Sequence, residues 1–208
     1  MHYSNTEKAE NFIKRIKSKL SEHSSDYPDY NETIYTSKAR LKDNDLVTDF
    51  NRNFTSVNGK VIFNIQELVS FLLNNELMFG FCEEHLIELF ETELNQKKIY
   101  LSPEFNRDRF EKYQFAITPA IGAIAETGSL VLTDSAPIDP LTTICPWVHI
   151  GVLKRENIVS SVSEGLKQFQ NIKNVTWVTG PSKTADIEGI LIEGVHGPGK
   201  EICYIINS

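Results

Sequence analysis

Apolar side chains recur at helical spacing over residues 7–20, where Ala9, Phe12, Ile13, Ile16 and Leu20 form one stripe, and this spacing predicts an amphipathic helix. Residues 21–60 break the pattern. Ser, Asp, Asn and Tyr dominate there, Ser24-Ser25-Asp26-Tyr27-Pro28 reads as a linker, and the apolar anchors Phe50, Phe54 and Val57 mark the return to a folded body. From Gly59 the chain alternates. Lys60 to Phe63 predicts a strand; Asn64 and Glu67 form a capping-box pattern before a helix that puts Ile65, Leu68, Val69 and Leu72 on one face. A second helix is predicted over 83–95, with Leu86, Leu89, Phe90 and Leu94 inward, and a strand over 98–101. Short strands follow at 115–117, 121–125 and 129–133, then a longer one at 147–153, a helix at 158–169, and strands at 174–178 and 201–206. At Ile190-Leu191-Ile192 period alone does not separate strand from helix. The division expected is an N-terminal helix and polar arm, 1–58, followed by an α/β domain with a largely parallel sheet, 59–208.

The chain has 208 residues, enough for one well-buried core. A net charge of −7 argues against nucleic-acid binding, which rewards clustered Lys and Arg. Charge is uneven: Lys8, Lys14, Arg15, Lys17 and Lys19 crowd the first helix, whereas 67–111 is rich in carboxylates. Two solvated helix faces explain this. The sharper reading docks the basic helix on an acidic partner or on a second copy, making a homo-oligomer. No apolar run reaches membrane-span length, and the expectation is a cytoplasmic protein. Cys82, Cys145 and Cys203 are widely separated and form no CxxC pair, so no iron–sulfur cluster or structural zinc is expected on this chain alone.

Candidate chemistry concentrates in two places. Glu126-Thr127-Gly128-Ser129 separates two apolar strands. A carboxylate at a tight turn is placed to act as nucleophile or general base, although a polar residue closing a hairpin gives the same pattern and is commoner. Gly180-Pro181-Ser182-Lys183-Thr184 follows a strand. Its N–H groups, hydroxyls and ammonium suit a phosphate or carboxylate, and it reads equally as a Gly-Pro turn before a capped helix start bearing Asp186 and Glu188. His196, between Gly194 and Gly197-Pro198, is on a loop and suits proton transfer or ligand orientation. His149 lies within a strand pattern and reads as a satisfied core or edge histidine. Trp147 and Trp177 read as packing residues, and Cys145 as structural.

These blocks resemble the LUD-domain family, the lactate-utilisation proteins of LutC and YkgG type. Ala123-Ile124-Ala125-Glu126-Thr127-Gly128-Ser129 is similar to its IAETG block. Pro146 with His149-Ile150 is similar to its P-x-x-HI block. Residues 180–188 with 194–198 are similar to its GPS(R/K)TADIE…G-x-HGP block. The resemblance is strong over 115–206 and extends to about residue 59. It implies a three-layer α/β/α fold, with a mainly parallel sheet, akin to CoA transferases, ribose-5-phosphate isomerase and glucosamine-6-phosphate deaminase. It also implies a role in oxidising L-lactate to pyruvate alongside iron–sulfur partner proteins of LutA and LutB type. Two positions depart from the family pattern. Pro140 stands where the family often carries an arginine, so a grip on an acidic ligand is lost or relocated to Lys183, and apolar Ala120-Ile121 replaces a polar residue upstream of the first block.

The site expected therefore has Glu126, Asp186 and His196 as catalytic groups. Thr127, Gly128, Ser129, Gly180, Ser182, Lys183, Thr184 and Gly197 would hold a small anion. No metal is expected. CoA-transferase-like or isomerase-like chemistry follows from fold analogy alone. The alternative is a non-catalytic module that binds an anion or scaffolds a redox complex.

Overall fold

The computed structural model describes residues 5–22, 41–43, 45–133, 139–185 and 191–207. The chain forms two compact units, Met1–Tyr35 and Thr36–Ser208. The first contains helix α1, Asn5–Glu22. Its apolar stripe is exposed at Phe12, Ile13 and Ile16.

The second unit begins with a helix that sequence pattern had grouped with the polar arm. Helix α2, Leu46–Ser56, is capped by Asp45, whose carboxylate accepts from the Thr48 N–H. It buries Val47, Phe50 and Phe54, and the two phenyl rings stack at 5.2 Å. Each ring contributes roughly 2–3 kcal/mol through burial. Asp49 is also fully buried, and its carboxylate accepts from the Lys42 and Asp43 N–H groups and pairs with Arg52. This explains the missed helix: a polar-looking stretch hides a charge that is satisfied internally.

A six-stranded, wholly parallel sheet follows in the order β1-β12-β7-β4-β2-β3. Its strands are β1 Gly59–Ile62, β2 Phe79–Cys82, β3 Tyr100–Ser102, β4 Phe115–Ala120, β7 Val148–Lys154 and β12 Lys200–Ile206. Helices α3, Ile65–Asn74, and α4, Ile87–Gln96, cover one face. There Leu68, Leu72, Phe90 and Leu94 meet Ile62, Ile117, Ile150 and Ile202. Asn64 caps α3 by accepting from the Glu67 N–H at 2.8 Å, as the capping pattern predicts.

The other face packs on α2 and on a second sheet of order β8-β5-β6-β9. Its strands are β5 Gly122–Ile124, β6 Ser129–Thr133, β8 Ile158–Val159 and β9 Val175–Val178. A one-turn helix α5, Leu141–Ile144, precedes β7, and helix α6, Val162–Gln168, packs near the outer side of the second sheet, where Ile124, Val131, Val159 and Phe169 cluster. The architecture is thus α/β, with a mainly parallel central sheet flanked by helices.

Three further elements differ from the sequence pattern. Strand β2 was not anticipated, because Phe79-Gly80-Phe81-Cys82 shows no polar alternation. The helix expected over 158–169 begins only at Val162, after β8. Residues Lys183–Ala185 form strand β10, antiparallel to β11, Leu191–Glu193, where a helix start was one expectation.

Burial alone would raise the Asp49 carboxyl, but the Lys42 and Asp43 N–H groups and the Arg52 guanidinium outweigh it and hold the group below its usual 3.8. A depressed carboxyl stabilises the fold above its unfolded pKa and loses that stabilisation as pH falls through the folded value. Asp49→Asn should therefore cost on the order of 1–3 kcal/mol at neutral pH. In urea titrations the gap to wild type should narrow steadily below pH 3.8.

Candidate functional site

The turn between β5 and β6 carries Glu126, Thr127 and Gly128. Gly128 has φ +63°, and a Cβ there would collide with the backbone of Asn53 and Phe54 at the end of α2. Only glycine lets the turn lie so close. The Asn53 side-chain amide fastens the same turn by donating to the carbonyls of Ala125 at 2.7 Å and Glu126 at 3.3 Å. Gly180, with φ +79°, meets α2's exit in the same way: a Cβ would strike the Val57 carbonyl. Two distant glycines are thus registered on one short segment of backbone.

The two motif loops touch. The Ser129 hydroxyl lies 2.7 Å from that of Thr179 and 2.7 Å from that of Thr127, forming a chain of three hydroxyls in which Ser129 is buried and Thr179 exposed. Glu126 is almost wholly buried, and its carboxylate accepts from the Val162 N–H, 3.2 Å away in the first turn of α6. Lys183 lies 3.8 Å from Glu193, and its ammonium approaches the Val57 carbonyl at 3.4 Å. The Ser182 N–H donates to the Pro198 carbonyl, and the Gly194 N–H donates to that of Ser182, each at 2.9 Å. This knits 180–184 to the 194–198 loop, on which His196 is exposed and Gly197 faces Ser182. Thr184 is half-buried within β10. Asp186 and Glu188 lie outside the described residues. Beside Pro140, Arg107 pairs with Asp139 at 2.5 Å.

Strand β9 belongs to the second sheet, not to the parallel one. Residues 180–184 consequently lie against the amino ends of β7 and β12, where Gly199 donates to the Trp147 carbonyl. Trp147 itself precedes β7 and is half exposed.

A second polar cluster escaped sequence reading. His149 is fully buried; its Nδ1 lies 2.5 Å from Glu201 and its Nε2 2.8 Å from the Thr118 hydroxyl. Burial raises the Glu201 carboxyl, against the opposing pull of His149. The parallel register Glu201↔His149 and Thr118↔Gly151 brings these residues together. Their separation in sequence gave no signal, although His149 was correctly read as a satisfied core histidine. Thr118 and Glu201 are also closed off from solvent, so the trio organises the sheet interior. Among the described residues, no group of three or more His, Cys, Asp or Glu could hold a metal ion.

A parallel α/β sheet backed by a second sheet, with an ETG turn and a GPSK loop joined at one end, defines an α/β protein with a paired-loop polar site. The LUD-domain model matches residues 2–206, and the chain belongs to that family. It is 32% identical over 101 residues to lactate utilization protein C of Deinococcus radiodurans, covering 46% of this chain and 48% of that protein. It is 34% identical over 113 residues to lactate utilization protein C of Bacillus subtilis strain 168, covering 50% and 47%. The chain spans about half the length of the curated relatives it matches. A crystal structure of a DUF162 family protein from Deinococcus radiodurans shares the fold, with TM-score 0.57 and 16% identity, over 78% of this chain and 96% of that one. No helix among the described residues is long and apolar enough to cross a membrane.

Gly180→Ala should destabilise the chain by roughly 1–3 kcal/mol, because it forces a positive φ on a side chain and drives it into Val57. Val57→Ala should leave that penalty largely intact, since the obstruction is the backbone carbonyl. Denaturant midpoints of the single and double variants measure both effects.

Proposed function

We propose that the chain is a LutC-like component of L-lactate oxidation to pyruvate, binding a small carboxylate- or phosphate-bearing ligand where the ETG and GPSK loops meet. The observation carrying this reading is the 2.7 Å contact between Ser129 and Thr179, which turns two separate motif blocks into one surface. Thr127, Ser129, Ser182 and Thr184 supply hydroxyl donors, Gly128, Gly180 and Gly197 allow close backbone approach, and Lys183 supplies the positive charge. Glu126 serves as base or nucleophile, with Asp186 and His196 handling protons. Converting lactate to pyruvate releases two electrons and two protons. The electrons pass to iron–sulfur partners of LutA and LutB type, the partners that the family resemblance implies.

A non-catalytic anion-binding or scaffolding role is the second reading. It is favoured by the Glu126 carboxylate, which is engaged with the first turn of α6. Melting temperatures with lactate, pyruvate, phosphate and acyl-CoA separate the two, read for wild type, Glu126→Gln and Lys183→Met beside growth on L-lactate. The catalytic reading predicts a ligand-induced rise in wild type and Glu126→Gln, its loss in Lys183→Met, and growth abolished by Glu126→Gln. Normal growth of Glu126→Gln with the rise retained favours the non-catalytic module. No rise with any of these ligands overturns the anion site.

A further inference from the structure

At the opposite end of the parallel sheet a crevice of about 610 Å³ opens beyond the carboxyl ends of β2 and β3. The connection from β2 runs outward to β3, and the chain then returns across β2 to build β4. Ligands of open α/β sheets favour such a reversal. Phe81, Glu83, Glu84, His85, Phe105 and Asp139 line it. Glu83 holds the seam, its N–H donating to the Ile117 carbonyl of β4 at 3.1 Å.

The Glu83 side chain is unusual. The residue is 7% exposed, and among the described residues its carboxylate accepts no hydrogen bond while keeping its oxygens open to solvent at the crevice. A carboxylate open to a crevice and free of protein donors has its acceptor oxygens available to the N–H groups of a ligand. Its burial raises the carboxyl above its ordinary value, against a smaller opposing effect of His85. Asp139 is already matched by Arg107, which leaves Glu83 and Glu84 as the remaining carboxylates of the lining. A second crevice, of about 670 Å³ by Asp45, Leu46 and Arg155, offers no comparable group, since Arg155 and Asp45 pair there at 3.4 Å.

The apolar part of the wall is aromatic. Phe81 packs edge-on to Phe105 at 5.6 Å, and Phe105 stacks on Tyr113 at 5.1 Å. This same cluster already attracts a cation: the Lys112 ammonium sits 4.6 Å from the Tyr113 ring centroid. A bare metal ion lacks a ligand set here among the described residues. An ammonium brings its own N–H donors to the carboxylate and an alkyl chain to the rings.

We propose that this crevice binds a small organic cation, a primary alkylammonium whose N–H groups pair with Glu83 and whose alkyl chain lies against Phe81 and Phe105. The site is independent of the paired-loop site and of the role proposed for it.

The test titrates the full chain with three probes of matched shape and different charge: n-butylammonium, butan-1-ol and butyrate. Amide chemical shifts are read by NMR for wild type and for Glu83→Gln, which keeps the side chain's size. Saturable shifts at residues 83–85 and 103–105 with n-butylammonium are expected, with butan-1-ol and butyrate weaker by about tenfold or more. Glu83→Gln should abolish the preference for the cation. The proposal is overturned if n-butylammonium moves no amide in these segments, if all three probes act equally, or if Glu83→Gln keeps the preference. Should Glu83→Gln not fold, the wild-type charge series decides by itself. Failure of the lactate, pyruvate and phosphate experiments leaves this result untouched, because the two sites occupy opposite ends of the sheet.

Discussion

The exit of helix α2 is the constraint on which the rest of the motif region depends. Gly128 and Gly180, fifty-two residues apart, both press on backbone between Asn53 and Val57 with no room for a Cβ. Asn53 fastens the first loop by two hydrogen bonds, and the Val57 carbonyl receives the Lys183 ammonium. Phe50 and Phe54 anchor the helix in the core between the two sheets. A close approach of backbone to backbone tolerates little error, so the rigidity of α2 sets the relative position of the two loops. The Ser129–Thr179 contact then follows as a consequence.

Seen this way, the parallel sheet has two chemically distinct ends. The amino end, where β1, β7 and β12 begin, meets the loops that carry hydroxyls, glycines and Lys183. The carboxyl end holds crevices, one of them containing the unmatched Glu83. Between them the buried Thr118–His149–Glu201 trio spans β4, β7 and β12. A buried pair of this kind stabilises little by itself, yet it becomes strongly destabilising when one partner is removed. It thereby favours the one strand register that matches all three groups.

Most of the architecture was legible in sequence, because short alternating strands and amphipathic helices announce themselves by period. The cap at Asn64, the strands flanking Glu126 and the strand beginning near Trp147 were all readable within a few residues. Three failures have physical causes. Helix α2 was grouped with the arm because its buried Asp49 is neutralised by groups a linear reading does not pair with it. Strand β2 is apolar on both faces and has no period to detect. The position of 180–184 at the amino end of the parallel sheet was not readable, because the strand pattern of 174–178 does not say that β9 joins the second sheet. The site residues themselves were visible only as motif blocks. Their union through Ser129 and Thr179 is a tertiary fact, as is the engagement of Glu126 with α6.

The claim that both motif loops form one ligand surface braced by α2 is tested most directly by mapping amide shifts during a phosphate titration of the wild-type chain. The account predicts concerted, saturable shifts at residues 127–129 and 179–184 with a single apparent affinity, accompanied by residues 53–58. Shifts confined to one loop, or appearing at the carboxyl end of the sheet with both loops silent, would contradict it.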